Sequence, residues 1–86
     1  MTENDVIAAI REELARLAPE IEFGALDRTA DLREQADLDS MDFLNLLTVL
    51  HQRLGVLIPD ADAQQFGTID GAVAYLLHKV AKAPEA

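Results

Sequence analysis

The sequence predicts an all-α protein, a small bundle of three main helices plus one short helix, with a long first loop. Three stretches place apolar residues at spacings of three and four, which is the period of an amphipathic helix. The chain has 86 residues and no cysteine, so it makes one small domain that no disulfide reinforces. We expect a single domain over residues 1–82 and a frayed C-terminal tail over residues 83–86.

The first predicted helix runs from about Asn4 to Leu17. Its apolar stripe consists of Val6, Ile7, Ile10, Leu14 and Leu17. Thr2 followed by Asp5, or Asn4 itself, provides the start signal. Pro19 ends the helix, because proline cannot continue the backbone hydrogen-bond ladder.

A long connection follows from Ala18 to Asp39, in which apolar and charged residues are mixed without a helical or strand period. It holds too many apolar residues for a free linker, and a structureless loop of this length is unusual in a small domain. We expect it to pack across the helices, with one short turn at about Ala25–Arg28.

The second main helix is predicted from Ser40 to about Leu54, with Gly55 just past its end. Its predicted buried face has a main line, Leu44, Leu47, Leu50 and Leu54, flanked by Phe43 and Leu46. Met41 and Val49 lie off that face. The helix is apolar almost all round, so part of its surface either meets a partner or stays exposed.

The last third of the chain begins with an apolar run, Val56–Ile58. With no second strand to pair it, we predict an extended connection that ends at Pro59. Asp60–Phe66 fits one or two helical turns stopped by Gly67, and Thr68 is a good cap for the last helix. That helix carries Ile69, Ala72, Val73, Leu76, Leu77 and Val80 at helical spacing.

The formal net charge of −9 bears on partners and compartment. Nucleic acid does not fit as a partner, because phosphate binding needs concentrated lysine and arginine. The acidic residues either steer a basic partner surface toward the protein or only keep it soluble. The acidic N-terminus lacks the pattern of a signal peptide, and no apolar run approaches the roughly 20 residues of a membrane span. We expect a cytoplasmic protein without a membrane span.

Ser40 is the strongest candidate for covalent chemistry. Asp39 is placed to cap the predicted helix, so Ser40 falls in its first turn, where a phosphate on the side chain would meet the positive helix end. Taken alone, an Asp-Ser pair before a helix is an ordinary start signal with no role beyond local hydrogen bonding.

A hydrolytic serine would need a base within hydrogen-bond reach, and the sequence fits that alternative poorly. His51 lies about 16 Å further along the same predicted helix. The sequence position of His78 does not rule it out as a base. The chain nevertheless has no Gly-x-Ser-x-Gly turn and little material for a substrate cleft. We therefore assign no catalytic residue.

Asp37, Asp39 and Asp42 raise the question of a metal site. An EF-hand loop needs glycine at its sixth position and glutamate at its twelfth. Counted from Asp37, those positions hold Asp42 and Thr48. The pattern fails, and we predict no metal site.

The surroundings of Ser40 resemble an acyl carrier protein, of the phosphopantetheine-binding carrier family. The matching segments are Asp31-Leu32, Asp39-Ser40-Met41-Asp42, the helix with Leu44, Leu47 and Leu50, Gly55-Val56-Leu57-Ile58-Pro59-Asp60, and Thr68-Ile69 through Tyr75-Leu76. The likeness is ungapped from Ser40 to Leu76, whereas the first helix matches only in placement and character. The resemblance implies an acyl-carrier-like bundle that holds acyl intermediates as thioesters and is not an enzyme.

The resemblance also implies a cofactor and a set of site residues. A phosphopantetheinyl transferase would attach 4′-phosphopantetheine to Ser40, which would give a chain without cysteine its thiol. Asp39 would cap the helix and orient Ser40. Partner enzymes would contact Met41, Asp42, Asn45 and Leu46. The core and any acyl cavity would be lined by Leu44, Leu47, Leu50, Ile58, Phe66, Ala72 and Tyr75. Acyl-loading and acyl-processing enzymes would be further partners of a monomeric carrier.

Two features depart from the family pattern. Family members often have Gly-Ala or Gly-Leu before the Asp-Ser pair, where this chain has Asp37-Leu38. In fatty-acid carriers the helix after the serine is rich in glutamate, whereas here the matching places hold Asn45, His51 and Gln52, with Arg53 following. An apolar patch would replace those charges: Phe43, Leu46 and Val49. We therefore predict a carrier for a specialised fatty-acid or polyketide-type pathway, or another acyl-transfer pathway.

The remaining alternative is a small acidic protein-interaction module without a prosthetic group. It would bind a partner helix through a surface of Met41, Phe43, Leu46 and Val49. A carrier would gain the mass of the arm when coenzyme A and a transferase are supplied, and the module would not.

Overall fold

The computed structural model describes residues 2–82, and within them the chain is helical with no strand. The helices are α1 (Glu3–Leu17), α2 (Leu32–Gln35), α3 (Ser40–Leu54) and α4 (Ile69–Lys82), with a first 3-10 helix at Phe23–Ala25 and a second at Asp60–Phe66. The predicted all-α bundle is confirmed. The predicted frayed tail, residues 83–86, lies outside the described residues. No helix among residues 2–82 is long and apolar enough to cross a bilayer.

Helix α1 begins at a reciprocal cap between Thr2 and Asp5. The Asp5 backbone N–H donates to Thr2 Oγ1 at 3.2 Å, and the Thr2 backbone N–H donates to Asp5 Oδ2 at 2.9 Å. These bonds satisfy two backbone donors that the first turn leaves free. The predicted start signal at Thr2 is therefore confirmed, and the helix begins one residue before the predicted Asn4.

The core lies where α1 packs against both α3 and α4, and α4 also packs against the second 3-10 helix. Its most deeply buried side chains are Val6, Ile10, Leu14, Leu32, Leu46, Leu50, Phe66, Ile69 and Leu76. Nearly every segment contributes at least one of them. Burial of apolar surface at about 25 cal/mol per Å² is thus the main force holding this disulfide-free chain together.

The buried face of α3 is rotated from the predicted one. The structure buries Phe43, Leu46, Leu47 and Leu50, whereas Leu44 is 49% exposed and Leu54 is half-buried. Leu44 lies about 100° round the helix from Phe43, which places it at the edge of the stripe. The prediction that Leu44 belongs to the main buried line was wrong, because the core and α1 cover the side of the helix that carries Phe43 and Leu46.

The long connection between α1 and α3 packs on the core, as predicted, but its short helices lie elsewhere. In place of the single turn predicted at about Ala25–Arg28, the structure has the 3-10 helix at Phe23–Ala25 and a turn at Arg28–Thr29, and α2 was not predicted. Asp31 caps α2 by accepting from the Glu34 backbone N–H at 2.9 Å. Because Asp31 followed by Glu34 is a common helix-start pattern, the signal for α2 was present in the sequence.

Three contacts hold this connection against the start of α4. The Leu32 backbone N–H donates to the Gly67 carbonyl at 2.7 Å, and the Asp70 backbone N–H donates to the Arg28 carbonyl at 3.0 Å. Arg28 Nε also lies 2.7 Å from Asp70 Oδ1. With Leu32 in the core, these bonds hold α2 in place beside the beginning of α3.

An ion-pair cluster ties the C-terminal turn of α3 to α1. Arg53 donates from Nη2 to Glu12 Oε1 at 2.6 Å and from Nη1 to Glu13 Oε2 at 2.9 Å. Glu13 is buried, so Arg53 supplies the partner that its charge requires. The positive charge of Arg53 is therefore balanced within the bundle.

The predictions for the rest of the chain are confirmed. Gly55 adopts a left-handed conformation (φ 66°) directly after α3, and Val56–Ile58 is an extended connection rather than a strand. The turns at Asp60–Phe66 end at Gly67. Thr68 Oγ1 accepts from the Gly71 backbone N–H at 2.9 Å and so caps α4.

The conformation of Gly55 gives a stability prediction. A Cβ at Gly55 meets no atom within 4 Å, so the cost of Gly55→Ala comes from the positive φ alone. We expect the substitution to lower the free energy of unfolding by about 1 kcal/mol in urea denaturation. Gly24→Ala is the matched control, because a Cβ there also meets nothing within 4 Å and φ is not positive. Equal destabilisation by both substitutions would contradict this account.

Candidate functional site

Ser40 is the first residue of α3, and its side chain is exposed. Asp39 caps the helix: its Oδ1 accepts from the Asp42 backbone N–H at 2.7 Å, and its carbonyl accepts from the Phe43 backbone N–H at 3.0 Å. The cap fixes the direction of the first turn, and the positive end of the helix dipole lies at the residue that carries the hydroxyl.

A left-handed turn leads from α2 into this site. Asp37 has φ 53° and is the one non-glycine residue with positive φ among those described. Aspartate tolerates this region better than most residues, although glycine does so at lower cost. After this turn the Leu38 side chain lies in the core, and the Leu38 backbone N–H donates to the Arg33 carbonyl at 2.9 Å.

Arg33 reaches the Ser40 hydroxyl across this turn. Its Nη2 donates to Ser40 Oγ at 3.1 Å, and its guanidinium carbon lies 5.4 Å from the centre of the Phe43 ring. Sequence reasoning missed this residue. No local signal could have identified it, because the contact depends on the reversal at Asp37 that folds α2 back toward the start of α3.

The hydrogen-bond partner of Ser40 shows whether a base within this chain could activate its hydroxyl as a nucleophile. Within residues 2–82, the side chain bonded to Ser40 Oγ is Arg33. A guanidinium stays charged and has no acceptor, so Arg33 cannot take the serine proton. His51 lies further along α3, where it lines a separate cleft. The arrangement of serine and base that a hydrolase requires is not formed around Ser40 in the described part of the chain.

The carboxylates near Ser40 do not form a metal site. No cluster of three or more histidine, cysteine, aspartate or glutamate residues suited to a metal occurs in the described residues. The carboxylate of Asp39 is engaged in capping α3.

An apolar cleft of about 370 Å³ opens beside α3. It is lined by Leu44, Leu47, Thr48, His51, Leu57 and Ile58. Three residues predicted for the core or an acyl cavity, Leu44, Leu47 and Ile58, thus share one cleft. The other four, Leu50, Phe66, Ala72 and Tyr75, are buried in the core of the bundle.

The residues predicted to contact partners separate into exposed and buried ones. Met41 is 72% exposed, Asn45 is exposed and Asp42 is half-buried. Leu46 is only 1% exposed, so its assignment to a partner surface was wrong. It faces the core because it lies three residues after Phe43, on the buried side of α3.

The predicted apolar patch on α3 is also corrected. Phe43 and Leu46 are buried and Val49 is half-buried, so neither the patch nor the partner-helix surface of the alternative reading is available. The large apolar side chains that the structure does expose are Met41, Leu44 and Leu57. Leu44 and Leu57 both line the cleft.

Tyr75 links α4 to the second 3-10 helix. Its hydroxyl donates to Asp62 Oδ2 at 2.5 Å, and its ring lies 5.0 Å from the ring of Phe66. Burial raises the pKa of the Tyr75 hydroxyl to about 12, and the hydrogen bond to Asp62 and the negative charge of that carboxylate act in the same direction. The bond fastens the second 3-10 helix, which follows the cleft wall at Leu57 and Ile58.

Comparisons with known proteins agree on one family. The family profile described as the phosphopantetheine attachment site matches residues 4–76. The acyl carrier protein of Lactobacillus johnsonii is 36% identical over 81 residues, covering 88% of this chain and 94% of the relative. That of Campylobacter jejuni subsp. doylei is 31% identical over 75 residues, covering 87% and 91%. The solution structure of a candidate acyl carrier protein from Anaplasma phagocytophilum is similar with a TM-score of 0.76 at 27% identity, covering 100% of this chain and 97% of that one.

The raised pKa of Tyr75 can be measured directly, because the chain has one tyrosine and no tryptophan. We expect the tyrosinate absorbance to rise with a midpoint near pH 12 in the folded protein and near pH 10 in urea. Because the folded-state pKa is the higher one, the stabilisation is complete below about pH 10 and is lost as the pH rises toward about 12.

Two carboxylate variants test the cause of this shift. Asp62→Asn should lower the Tyr75 pKa part of the way, because it removes the charge but not the burial. Asp70→Asn removes a carboxylate that pairs with Arg28 instead, so the midpoint should stay unchanged. A midpoint near pH 10 in the folded wild type would contradict the assignment.

Proposed function

The chain belongs to the phosphopantetheine-binding family of acyl carrier proteins, and on that premise we propose that Ser40 bears its 4′-phosphopantetheine arm. Members of this family are carriers and not enzymes, and their prosthetic group is covalent. When bound, that group supplies a thiol that holds acyl groups as thioesters, which this cysteine-free chain cannot provide from its own residues. Ser40 is also the only serine in the chain.

The observation that carries the proposal is the exposed hydroxyl of Ser40 at the start of α3. The residues present fit a phosphodiester at this position. The positive end of the helix favours an anion, and Arg33 adds a full positive charge in contact with the oxygen that would be esterified. Asp39 holds the first turn so that this oxygen stays at the surface.

The attachment itself needs a second protein. The Ser40 oxygen forms a new bond to the phosphorus that carries the pantetheine arm. The pyrophosphate bond of coenzyme A breaks and adenosine 3′,5′-bisphosphate leaves, while the hydroxyl proton must be taken up by a base. Arg33 cannot accept this proton. The base is therefore supplied by the phosphopantetheinyl transferase, and the chain contributes a positioned hydroxyl and a surface to which the transferase binds.

We assign the binding of partner enzymes to the exposed side chains around Ser40. Met41 offers an apolar contact next to the modified residue, and Asn45 lies about one turn further along the same side of α3. Asp42 contributes one charge. We assign an apolar cargo to the cleft beside α3 that includes Leu44, Leu47 and Ile58. Most of the side chains that line this cleft are apolar. We propose that the carrier acts as a monomer.

The charge on α3 supports a specialised pathway rather than general fatty-acid synthesis. Asp42 is the only acidic residue of the helix, and the exposed positions 41, 44, 45, 48 and 52 are all neutral. Arg53 is already paired with Glu12 and Glu13. An enzyme whose basic surface binds an acidic helix would gain little attraction here, whereas an enzyme that binds a neutral helix would be accommodated.

The modification site can be tested by mass. Incubation with coenzyme A and a promiscuous phosphopantetheinyl transferase should add one phosphopantetheinyl group to the wild type and none to Ser40→Ala. Since Ser40 is exposed, the variant should keep the helical circular-dichroism spectrum and a free energy of unfolding within about 0.5 kcal/mol of the wild type. Thr48→Ala removes another exposed hydroxyl of α3 and should still gain the mass. An unmodified wild type, with a transferase shown to be active, would refute the proposal.

The specialised pathway can be tested by restoring charge to α3. In a fatty-acid synthase assay, the loaded protein should be at least about tenfold less active than a housekeeping carrier. The double variant Asn45→Glu, Gln52→Glu should recover part of the difference, and added salt should remove the gain. The pair Gln64→Glu, Gln65→Glu adds the same charge at exposed positions of the second 3-10 helix and should recover nothing. Wild-type activity equal to that of the housekeeping carrier would contradict the prediction.

A further inference from the structure

We propose that Arg33 binds the phosphodiester that joins the arm to Ser40 and so fixes the root of the arm against α3. The proposal rests on the attachment at Ser40 proposed above. It adds a positioning residue to the site, seven residues before the serine and on a different helix.

The geometry of Arg33 in the unmodified chain already matches this role. Its Nη2 donates to Ser40 Oγ at 3.1 Å. A phosphate formed on that oxygen places its non-bridging oxygens one bond further out, within the space that a guanidinium with several N–H donors can reach. Arginine is the side chain best suited to a phosphate, because its planar group can donate two parallel hydrogen bonds.

The guanidinium is also held in position before any phosphate is present. It lies over the ring of Phe43 at 5.4 Å, which gives a cation–π attraction on the side facing the core. The backbone carbonyl of Arg33 accepts from the Leu38 N–H at 2.9 Å, and Leu38 is buried. Little conformational freedom therefore has to be lost when the anion is added.

The charge of Arg33 is available to a ligand. Among the described residues, Arg16, Arg28 and Arg53 pair with carboxylates, whereas no described carboxylate forms an ion pair with Arg11 or Arg33. Of these two, Arg33 is the one that contacts Ser40. Asp31 and Glu34 share a shallow groove with Arg33, yet neither pairs with it. The positive charge is directed at the hydroxyl instead.

A phosphodiester needs such a partner because the chain already carries a net charge of −9. The new anion would lie beside Asp39 and Asp42, whose carboxylates repel it. The α3 dipole offsets part of this repulsion. Arg33 offsets more, because it carries a full positive charge in direct contact with the oxygen that bears the phosphate. The arm is then anchored by one covalent bond and one ion pair.

The test compares the unmodified and modified forms of the wild type, Arg33→Gln and Arg11→Gln. Arg11→Gln is the matched control, since Arg11 is an exposed arginine of α1 beside a separate cleft with Ile21 and Phe23. All three are modified with coenzyme A and the transferase, and complete modification is verified by mass. The readouts are the phosphorus NMR resonance of the phosphodiester, the Arg33 Nε–H resonance, and the melting temperature of each form.

The expected result is specific to Arg33. Modification should shift the Nε–H resonance of Arg33 in the wild type. The phosphorus resonance of Arg33→Gln should differ from those of the wild type and Arg11→Gln, which should coincide. Modification should lower the melting temperature of Arg33→Gln by roughly 2–4 °C more than it lowers that of the other two, and high salt should reduce this difference.

Three outcomes would overturn the inference: an unchanged Nε–H resonance, identical phosphorus resonances in all three proteins, or equal effects of the two substitutions. If unmodified Arg33→Gln failed to fold, the Nε–H resonance of the wild type would decide alone. A wild type that takes up no arm refutes the proposed function, whereas an arm that is attached without any response from Arg33 refutes this inference only.

Discussion

The reversal of the chain between α2 and α3 is the constraint on which the site depends. Asp37 adopts a left-handed conformation, Leu38 enters the core, and Asp39 caps the next helix. Leu38 anchors the turn in the core, and the cap at Asp39 starts α3 at Ser40, whose side chain is exposed in the first helical turn. Aspartate at position 37 supports this turn at a higher conformational cost than glycine would.

The same packing gives α3 a buried side and an exposed side. Phe43, Leu46 and Leu50 hold the helix in the core, where it packs on α1, and Arg53 binds its end to Glu12 and Glu13. The outer side is left almost without charge. If the proposed partner surface is correct, complementarity with an enzyme comes mainly from shape and apolar contact near Met41. Such a surface gives less long-range steering but discriminates against enzymes that bind an acidic helix.

Much of this arrangement was predictable from local patterns. Four helix ends behave as predicted, each through bonds within a few residues: the starts at Thr2 with Asp5, at Asp39 before Ser40 and at Thr68, and the end at Gly55. The errors concern surfaces that several elements build together. Leu44 and Leu46 are only two positions apart on one helix, and which of them faces outward depends on where α1 and the rest of the core pack against α3.

The all-α class, the ends of the main helices and the serine that begins α3 can be predicted from the amino-acid sequence, because caps, turns and apolar periods act over short distances along the chain. The burial of Leu46, the cleft that Leu44 shares with Leu57 and the contact of Arg33 with Ser40 become visible only in the folded protein. Each of these features is a contact between segments that are distant in the sequence. A period or motif within one segment does not specify such contacts, because they result from the packing of the whole core.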